Sequence, residues 1–121
     1  MLVKDDAEHQ IPEPWRAMFR QIVNAFVAGD FQLREHEIDG ILAVDAETAK
    51  LISDNIAAYG EALAPLDEAV WDWSAYRWMG GYWQMLVDLT TIEEPVSDLA
   101  LHAKAHVADG PRLEISSVHV P

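Results

Sequence analysis

The chain has 121 residues, of which half are apolar and 24% are charged, and its 21 acidic and 8 basic residues give a formal net charge of -13. This length suits one domain, residues 1–121, and the apolar content is typical of a chain that folds. The negative charge disfavours nucleic acid and anionic membranes as partners and favours a basic protein.

The chain contains no cysteine, which excludes disulfides, thiolate metal sites and thiol nucleophiles. No apolar run approaches the length of about 18 residues that a membrane span requires, and the first residues, MLVKDDAEHQ, soon become polar. We therefore expect a cytoplasmic protein. The motifs of serine hydrolases, P-loop enzymes and dinucleotide-binding domains do not occur, so we expect no cofactor.

The first predicted element is an amphipathic helix. Residues 1–10 are polar and are expected to form a loosely ordered arm. Apolar residues then recur at helical spacing over residues 15–27. Pro14 suits the first helical turn and Gly29 suits the end of the helix.

A second helix is predicted after an irregular segment. Residues 30–44 lack a sustained period, and the pair Asp39-Gly40 predicts a turn. Asp45 is a suitable helix N-cap, and the helix should end at Gly60 or at Pro65. Its apolar face would carry Ala49, Ile52, Ile56 and Tyr59.

Beyond Pro65 the apolar residues alternate, which predicts strands over residues 82–91, 97–108 and 112–120. The predicted fold is α+β, with two N-terminal helices on one face of an antiparallel meander of three or four strands. A fourth strand would precede Gly80-Gly81, because a hairpin turn there sets Trp78 opposite Trp83. A short helix over residues 72–79 is the alternative.

The alternation also predicts the strand register. A three-residue loop at residues 93–95 sets Trp83 opposite Ala105 and continues the apolar face. A second three-residue loop at residues 109–111 sets Val107 opposite Leu113 and Ala105 opposite Ile115.

Tryptophan is concentrated in residues 71–83, and an indole often lies where one end is apolar and the other is wet. Trp78 and Trp83 are predicted to be core residues. Trp71 and Trp73 alternate with acidic Asp72, which is typical of a partly exposed surface that binds a cationic partner. The predicted partner-binding residues are Asp67, Glu68, Trp71, Asp72, Trp73, Glu93 and Glu94.

The outer face of the sheet carries the candidates for chemistry. In the predicted register His106 faces Glu114 and His102 lies diagonal to Asp88, and such carboxylate–histidine pairs suit either a general base or an ordinary solvated face. Asp88 and His102 are therefore candidate catalytic residues. His102 and His106 lie about 13 Å apart along a strand, too far to share one ion, and we expect no metal site.

The segments WMGGYWQMLVDL, EEPVSDL and the terminal VHVP resemble a family of small acidic bacterial proteins known as a domain of unknown function. The segment WRAMFRQIVNAFVAGDF resembles its N-terminal part. The resemblance implies no activity or site. It implies a shared structural signature of Trp78, Gly80, Gly81, Trp83, Asp88, Glu94, Ser97 and Asp98.

A second resemblance, carried by AFVAGDF and ADGPRLEI, is to NTF2-like proteins, in which helices precede a curved sheet around a pocket. The strand that those proteins have between the helices is not found in residues 31–44.

Three functions follow as hypotheses. The first is a small, acidic, non-enzymatic interaction protein that binds a basic protein partner, for example in an immunity or antitoxin role. The second is an NTF2-like small-molecule binder or hydrolase with a pocket that uses Asp88 and His102. The third is a homodimerisation module that uses the face around Leu86, Val118 and Val120.

Overall fold

The order of helices and strands along the chain confirms the predicted α+β class. The computed structural model describes residues 2–108 and 110–121. Its elements are α1 (Glu13–Val27), α2 (Ala46–Tyr59), β1 (Leu63–Ala64), a 3₁₀ helix (Glu68–Asp72), β2 (Ala75–Trp78), β3 (Trp83–Asp88), β4 (Thr90–Thr91), β5 (Ala100–His106) and β6 (Arg112–His119). Four antiparallel strands form the main sheet in the order β2-β3-β5-β6, and β1 pairs with β4 in a separate small sheet.

Both helices begin and end where their sequences predict. Pro12 is the N-cap residue of α1, and Pro14 lies in the first turn of the helix. Backbone N–H groups in a first turn have no partner within the helix, so the missing N–H of proline removes no helical hydrogen bond. Asp45 caps α2, because its carboxylate accepts a hydrogen bond of 2.7 Å from the N–H of Thr48. Gly60 ends α2 in the left-handed conformation, with a φ of 86°.

The first two strand pairings of the sheet have the predicted register. Trp78 lies opposite Trp83, and their rings are 4.5 Å apart between centroids. Residues 75–78 therefore form a strand, and the alternative of a helix over residues 72–79 is wrong. Trp83 lies opposite Ala105 on β5, as predicted.

The predicted strand 82–91 is interrupted after Asp88. Thr90 and Thr91 turn away from β5 and pair with Ala64 and Leu63. This small sheet was not predicted, because two-residue strands have no period to detect.

The predicted register of β5 and β6 is wrong by two residues. Ala105 lies opposite Leu113 rather than Ile115, and His106 lies opposite Arg112 rather than Glu114. The predicted pair of side chains still forms, because a ring nitrogen of His106 lies 3.2 Å from the carboxylate of Glu114. A shift of two residues leaves every side chain on the same face, so alternation cannot detect it. Leu113 is instead held from outside the hairpin, by backbone bonds to Gly40 and Leu42. Of the predicted loop at residues 109–111, Asp109 lies outside the described residues.

A β-bulge then reverses the faces near the end of β6. The register changes between His102 and Ala103, so that His102 lies opposite Ser117 and Leu101 opposite Val118. Val118 is fully buried, and its predicted place on the outer face is wrong.

The inner face of the sheet packs against α1 and α2 with a filled interior. Phe19, Ile22, Met85, Val87 and Leu101 each have no exposed surface. Within residues 2–108 and 110–121, no helix covers the opposite face, and the contacts of its side chains are chiefly with one another. We call this surface the open face.

The N-terminal segment makes more contacts than its polar sequence predicts. Leu2 is buried, and the carbonyl of Val3 accepts a hydrogen bond of 2.9 Å from the indole N–H of Trp83. His9 exchanges two backbone hydrogen bonds, of 3.0 and 2.8 Å, with Tyr76 at the outer edge of β2.

Residues 30–44 have no helix or strand, as predicted, and the carboxylate of Asp30 organises their first turn. It accepts backbone N–H bonds of 2.9 to 3.1 Å from Arg34, Glu35 and His36, and a ring nitrogen of His36 lies 2.8 Å away. These contacts, the ring of His36 first, lower the pKa of Asp30 from 3.8 to about 2.

We expect Asp30→Asn to destabilise the protein at neutral pH and to lose most of this effect in acid. Because the pKa of Asp30 is lower in the folded state, its stabilising contribution is present above pH 3.8 and disappears as the pH falls towards 2. Denaturant unfolding at several pH values measures the difference between variant and wild type, with Asp6→Asn, at an exposed carboxylate, as the control. A difference that does not change over this pH window would contradict the assignment.

No helix in the described part of the chain combines the length and the apolar character that crossing a bilayer requires.

Candidate functional site

The predicted partner-binding residues begin in the 3₁₀ helix that lies between β1 and β2. Asp67 caps this helix, because its carboxylate accepts a hydrogen bond of 2.9 Å from the N–H of Ala69. The backbone N–H of Asp67 donates to the hydroxyl of Thr90, also at 2.9 Å. The start of the helix is thereby fixed beside β4.

Trp71 lies in the core, and its predicted partial exposure is wrong. Only 2% of its surface is exposed. The guanidinium groups of Arg16 and Arg20 lie over its ring, 5.2 and 5.5 Å from the centroid. The indole N–H is buried without a hydrogen-bond partner among the described residues. Any contact between Trp71 and a partner would need this part of the core to open.

The 3₁₀ geometry explains why Trp71 and Trp73 differ. Successive side chains of a 3₁₀ helix point about 120° apart, so residues two positions apart do not share a face. Trp71 therefore points inward, whereas Trp73 is 73% exposed. Alternation in the sequence would place both on one side only if the segment were a strand.

The segment returns to the sheet directly after Trp73. The hydroxyl of Ser74 donates to the carbonyl of Val70 at 2.7 Å and accepts from the N–H of Asp88 at 3.1 Å. Residues 67–74 are thus attached at both ends to the stretch 88–90. Asp72 and Trp73 project from a fixed support.

Two of the predicted carboxylates are already bound within the protein. Arg20 donates to Glu68 at 3.2 Å and to Glu13 at 2.7 Å. The carboxylate of Glu94 accepts a hydrogen bond of 2.6 Å from the hydroxyl of Tyr59, which raises the pKa of Tyr59. Glu68 and Glu94 are therefore less available to a partner than the sequence predicts.

Ile92 and Glu93 lie at the tip of the loop that follows β4, and both are exposed, Ile92 at 75%. Ile92 is anchored by a backbone bond of 3.0 Å to Ala62. This tip and the segment 67–74 adjoin the same stretch, residues 88–91. We call the exposed residues Asp67, Asp72, Trp73, Ile92 and Glu93 of these two segments the acidic edge.

The two candidate catalytic residues lie on the open face, away from the interior. Asp88 lies opposite Ala100 and His102 opposite Leu86, so the two are diagonal neighbours as predicted. Partial burial and then the nearby charge of Asp98 raise the pKa of Asp88. No hydrogen bond joins Asp88 to His102 among the described contacts.

His102 interacts with another histidine instead. Its ring stacks on that of His119 with 4.0 Å between centroids and 8° between planes. Burial, followed by the charge of His119, lowers the pKa of His102, and its buried Nε2 has no described partner. Strict alternation along β6 would place His119 on the inner face, and the bulge brings it onto the open face. The sequence therefore did not indicate this stack.

No metal cluster adjoins these residues in the described part of the chain, and an open surface pocket beside them is lined by His119, Tyr59 and Leu99. Where an NTF2-like pocket would lie, the interior is filled by Trp83, Met85 and Leu101. No three His, Asp or Glu side chains of residues 2–108 and 110–121 are placed to hold one ion.

Comparison with known proteins identifies the family. Neither the curated proteins nor the solved structures gave a match. The family model described as Domain of unknown function (DUF7668) matches residues 23–121, which include the last turn of α1, all of α2 and every strand. The chain belongs to this family.

Proposed function

We propose that the protein is a non-enzymatic interaction module that binds a basic protein partner through the acidic edge. The observation that carries the proposal is Trp73, a large aromatic side chain that is 73% exposed on a fixed support beside Asp72. Tryptophan is enriched among the residues that dominate binding energy at protein interfaces.

The charge around Trp73 defines the chemistry of the partner. Asp67, Asp72 and Glu93 are exposed, and none of them forms an ion pair among the described residues. Such carboxylates attract a basic surface and increase the rate of encounter, while the indole ring supplies contact area and a face for a cation. A lysine- or arginine-rich surface complements this combination.

A compact acidic protein of this kind suits an immunity or antitoxin role, in which it covers the cationic site of a toxic enzyme. The net charge of -13 on 121 residues supports this type of partner. The absence of cysteine is consistent with an interaction in the reducing cytoplasm.

We expect Trp73→Ala and the double variant Asp72→Lys/Glu93→Lys each to weaken binding by at least about tenfold. The partner is captured from the native host on the immobilised wild-type protein, purified, and titrated by calorimetry against each variant at low and high salt. A basic partner whose affinity falls with salt supports the proposal.

Matched controls distinguish binding through the acidic edge from an effect of net charge and from non-specific hydrophobic binding. Leu51→Ala removes another exposed apolar side chain, on α2, and Asp6→Lys/Glu37→Lys makes the same change of charge at exposed sites elsewhere. Both should bind like the wild type. Equal losses in the controls, or a partner that is not basic, would contradict the proposal.

A further inference from the structure

The open face has a charge gradient along its strands. Four rows of side chains cross it, and the pairing of the strands fixes their members. One row contains Arg77, Gln84, Lys104 and Glu114, and the next contains Tyr82, His106 and Arg112. These two rows form the basic end, with three Lys or Arg side chains and one described carboxylate.

The opposite end of the open face is acidic. Its row contains Asp88, Ala100 and His119, and Asp98 lies close enough to raise the pKa of Asp88. Lys104 lies four residues from Ala100 along β5, so the rows of these two residues are about 13 Å apart. The row between them is Ala75, Leu86, His102 and Ser117, which carries no carboxylate, lysine or arginine.

We propose that the open face binds a second copy of this chain, face to face, with the strands of the two copies antiparallel. A two-fold rotation that reverses the strand direction places the basic end of each copy over the acidic end of the other. The row of Leu86 and His102 then lies at the centre of the interface. A rotation that kept the strands parallel would set like charges against each other.

The charge distribution selects a second copy as the occupant. An isologous interface must be complementary to itself, which a face with opposite charges at its two ends satisfies. A uniformly basic partner would meet Arg77, Lys104 and Arg112 on this face, so the acidic edge remains the better site for it. The dimer does not depend on the proposed function.

The area of the face predicts a weak dimer. Four strands about 4.8 Å apart and about 20 Å long give a flat footprint of roughly 400 Å² per copy. Standard interfaces bury about 800 Å² per partner. The net charge of the two copies also opposes association, although screening limits that repulsion to about 8 Å at physiological salt. We expect a dissociation constant on the order of 100 µM.

A charge-swap experiment tests the arrangement. By sedimentation equilibrium up to about 1 mM, the wild type should dimerise, whereas Lys104→Glu/Arg112→Glu alone and Asp88→Lys/Asp98→Lys alone should remain monomeric. An equimolar mixture of the two variants should dimerise again, because opposite charges face each other in the mixed pair. Arg34→Glu/Lys50→Glu and Asp6→Lys/Glu37→Lys make the same changes of charge at exposed sites elsewhere and should dimerise like the wild type.

Amide chemical shifts of the wild type provide a readout that depends on no variant. On dilution, the shifts should move in β3, β5 and β6 and stay constant in α1. A monomer at every concentration, a mixture that stays monomeric, or shifts confined to the helices would each overturn the proposal.

Discussion

Trp83→Ala is expected to lower the free energy of unfolding by about 3 to 5 kcal/mol, the range measured for large-to-small changes at buried aromatic residues. Trp83 is 4% exposed, its indole N–H donates to the carbonyl of Val3, and its ring contacts that of Trp78. Alanine would leave a cavity and remove one of the hydrogen bonds that hold the N-terminal segment. Guanidinium chloride unfolding, followed by circular dichroism, measures the change.

The matched control for this variant is Trp73→Ala, which removes the same side chain from an exposed position. Because Trp73 is 73% exposed, its loss should change the free energy of unfolding by no more than about 0.5 kcal/mol. Comparable losses in the two variants would contradict the assignment of Trp83 to the core and Trp73 to the surface. The control also separates a binding defect of Trp73→Ala from unfolding.

Ser97→Ala is expected to cost about 1 to 3 kcal/mol of stability, since it leaves the buried N–H of Leu99 without its described partner, whereas the carbonyl of Leu89 keeps the backbone N–H of Ser97. The hydroxyl of Ser97 donates to the carbonyl of Leu89 at 2.7 Å and accepts from the N–H of Leu99 at 3.2 Å. Ser97 is itself buried, so water cannot readily replace these bonds.

Ser116→Ala serves as the control for Ser97→Ala, because Ser116 is an exposed serine on β6. The two variants are compared by the same denaturant titration. A cost at Ser97 no larger than that at Ser116 would show that the hydroxyl does not hold the loop between β4 and β5.

The fold could be predicted where local sequence determines it. Gly80 has a φ of 95°, which favours glycine, and the Gly80-Gly81 turn fixes the pairing of Trp78 with Trp83. The helix after Asp45 could be predicted for the same reason, because the residues that cap it are its neighbours in the sequence. The register of β6 could not be predicted, because it depends on contacts of Leu113 with residues 40–42, more than 70 positions away.

The candidate site was predicted only in part, because some of its contacts join residues that are far apart in the sequence. The exposure of Asp72 and Trp73 was predicted correctly, whereas the burial of Trp71, under Arg16 and Arg20 of α1, was not. Glu94 is likewise bound by Tyr59, a residue 35 positions earlier. Pairings over such distances leave no periodic signal in a single sequence.

The bonds at the two outer strands of the main sheet limit how another chain can attach. On β2, Tyr76 is already bonded to His9, and on β6, Leu113 is bonded to residues 40–42 and the carbonyl of Val118 to Asn55. These backbone groups are therefore unavailable to template the addition of a foreign strand, which is the usual route to β-sheet aggregation. A partner strand that paired at these positions would first have to displace residues 9, 40–42 or the side chain of Asn55.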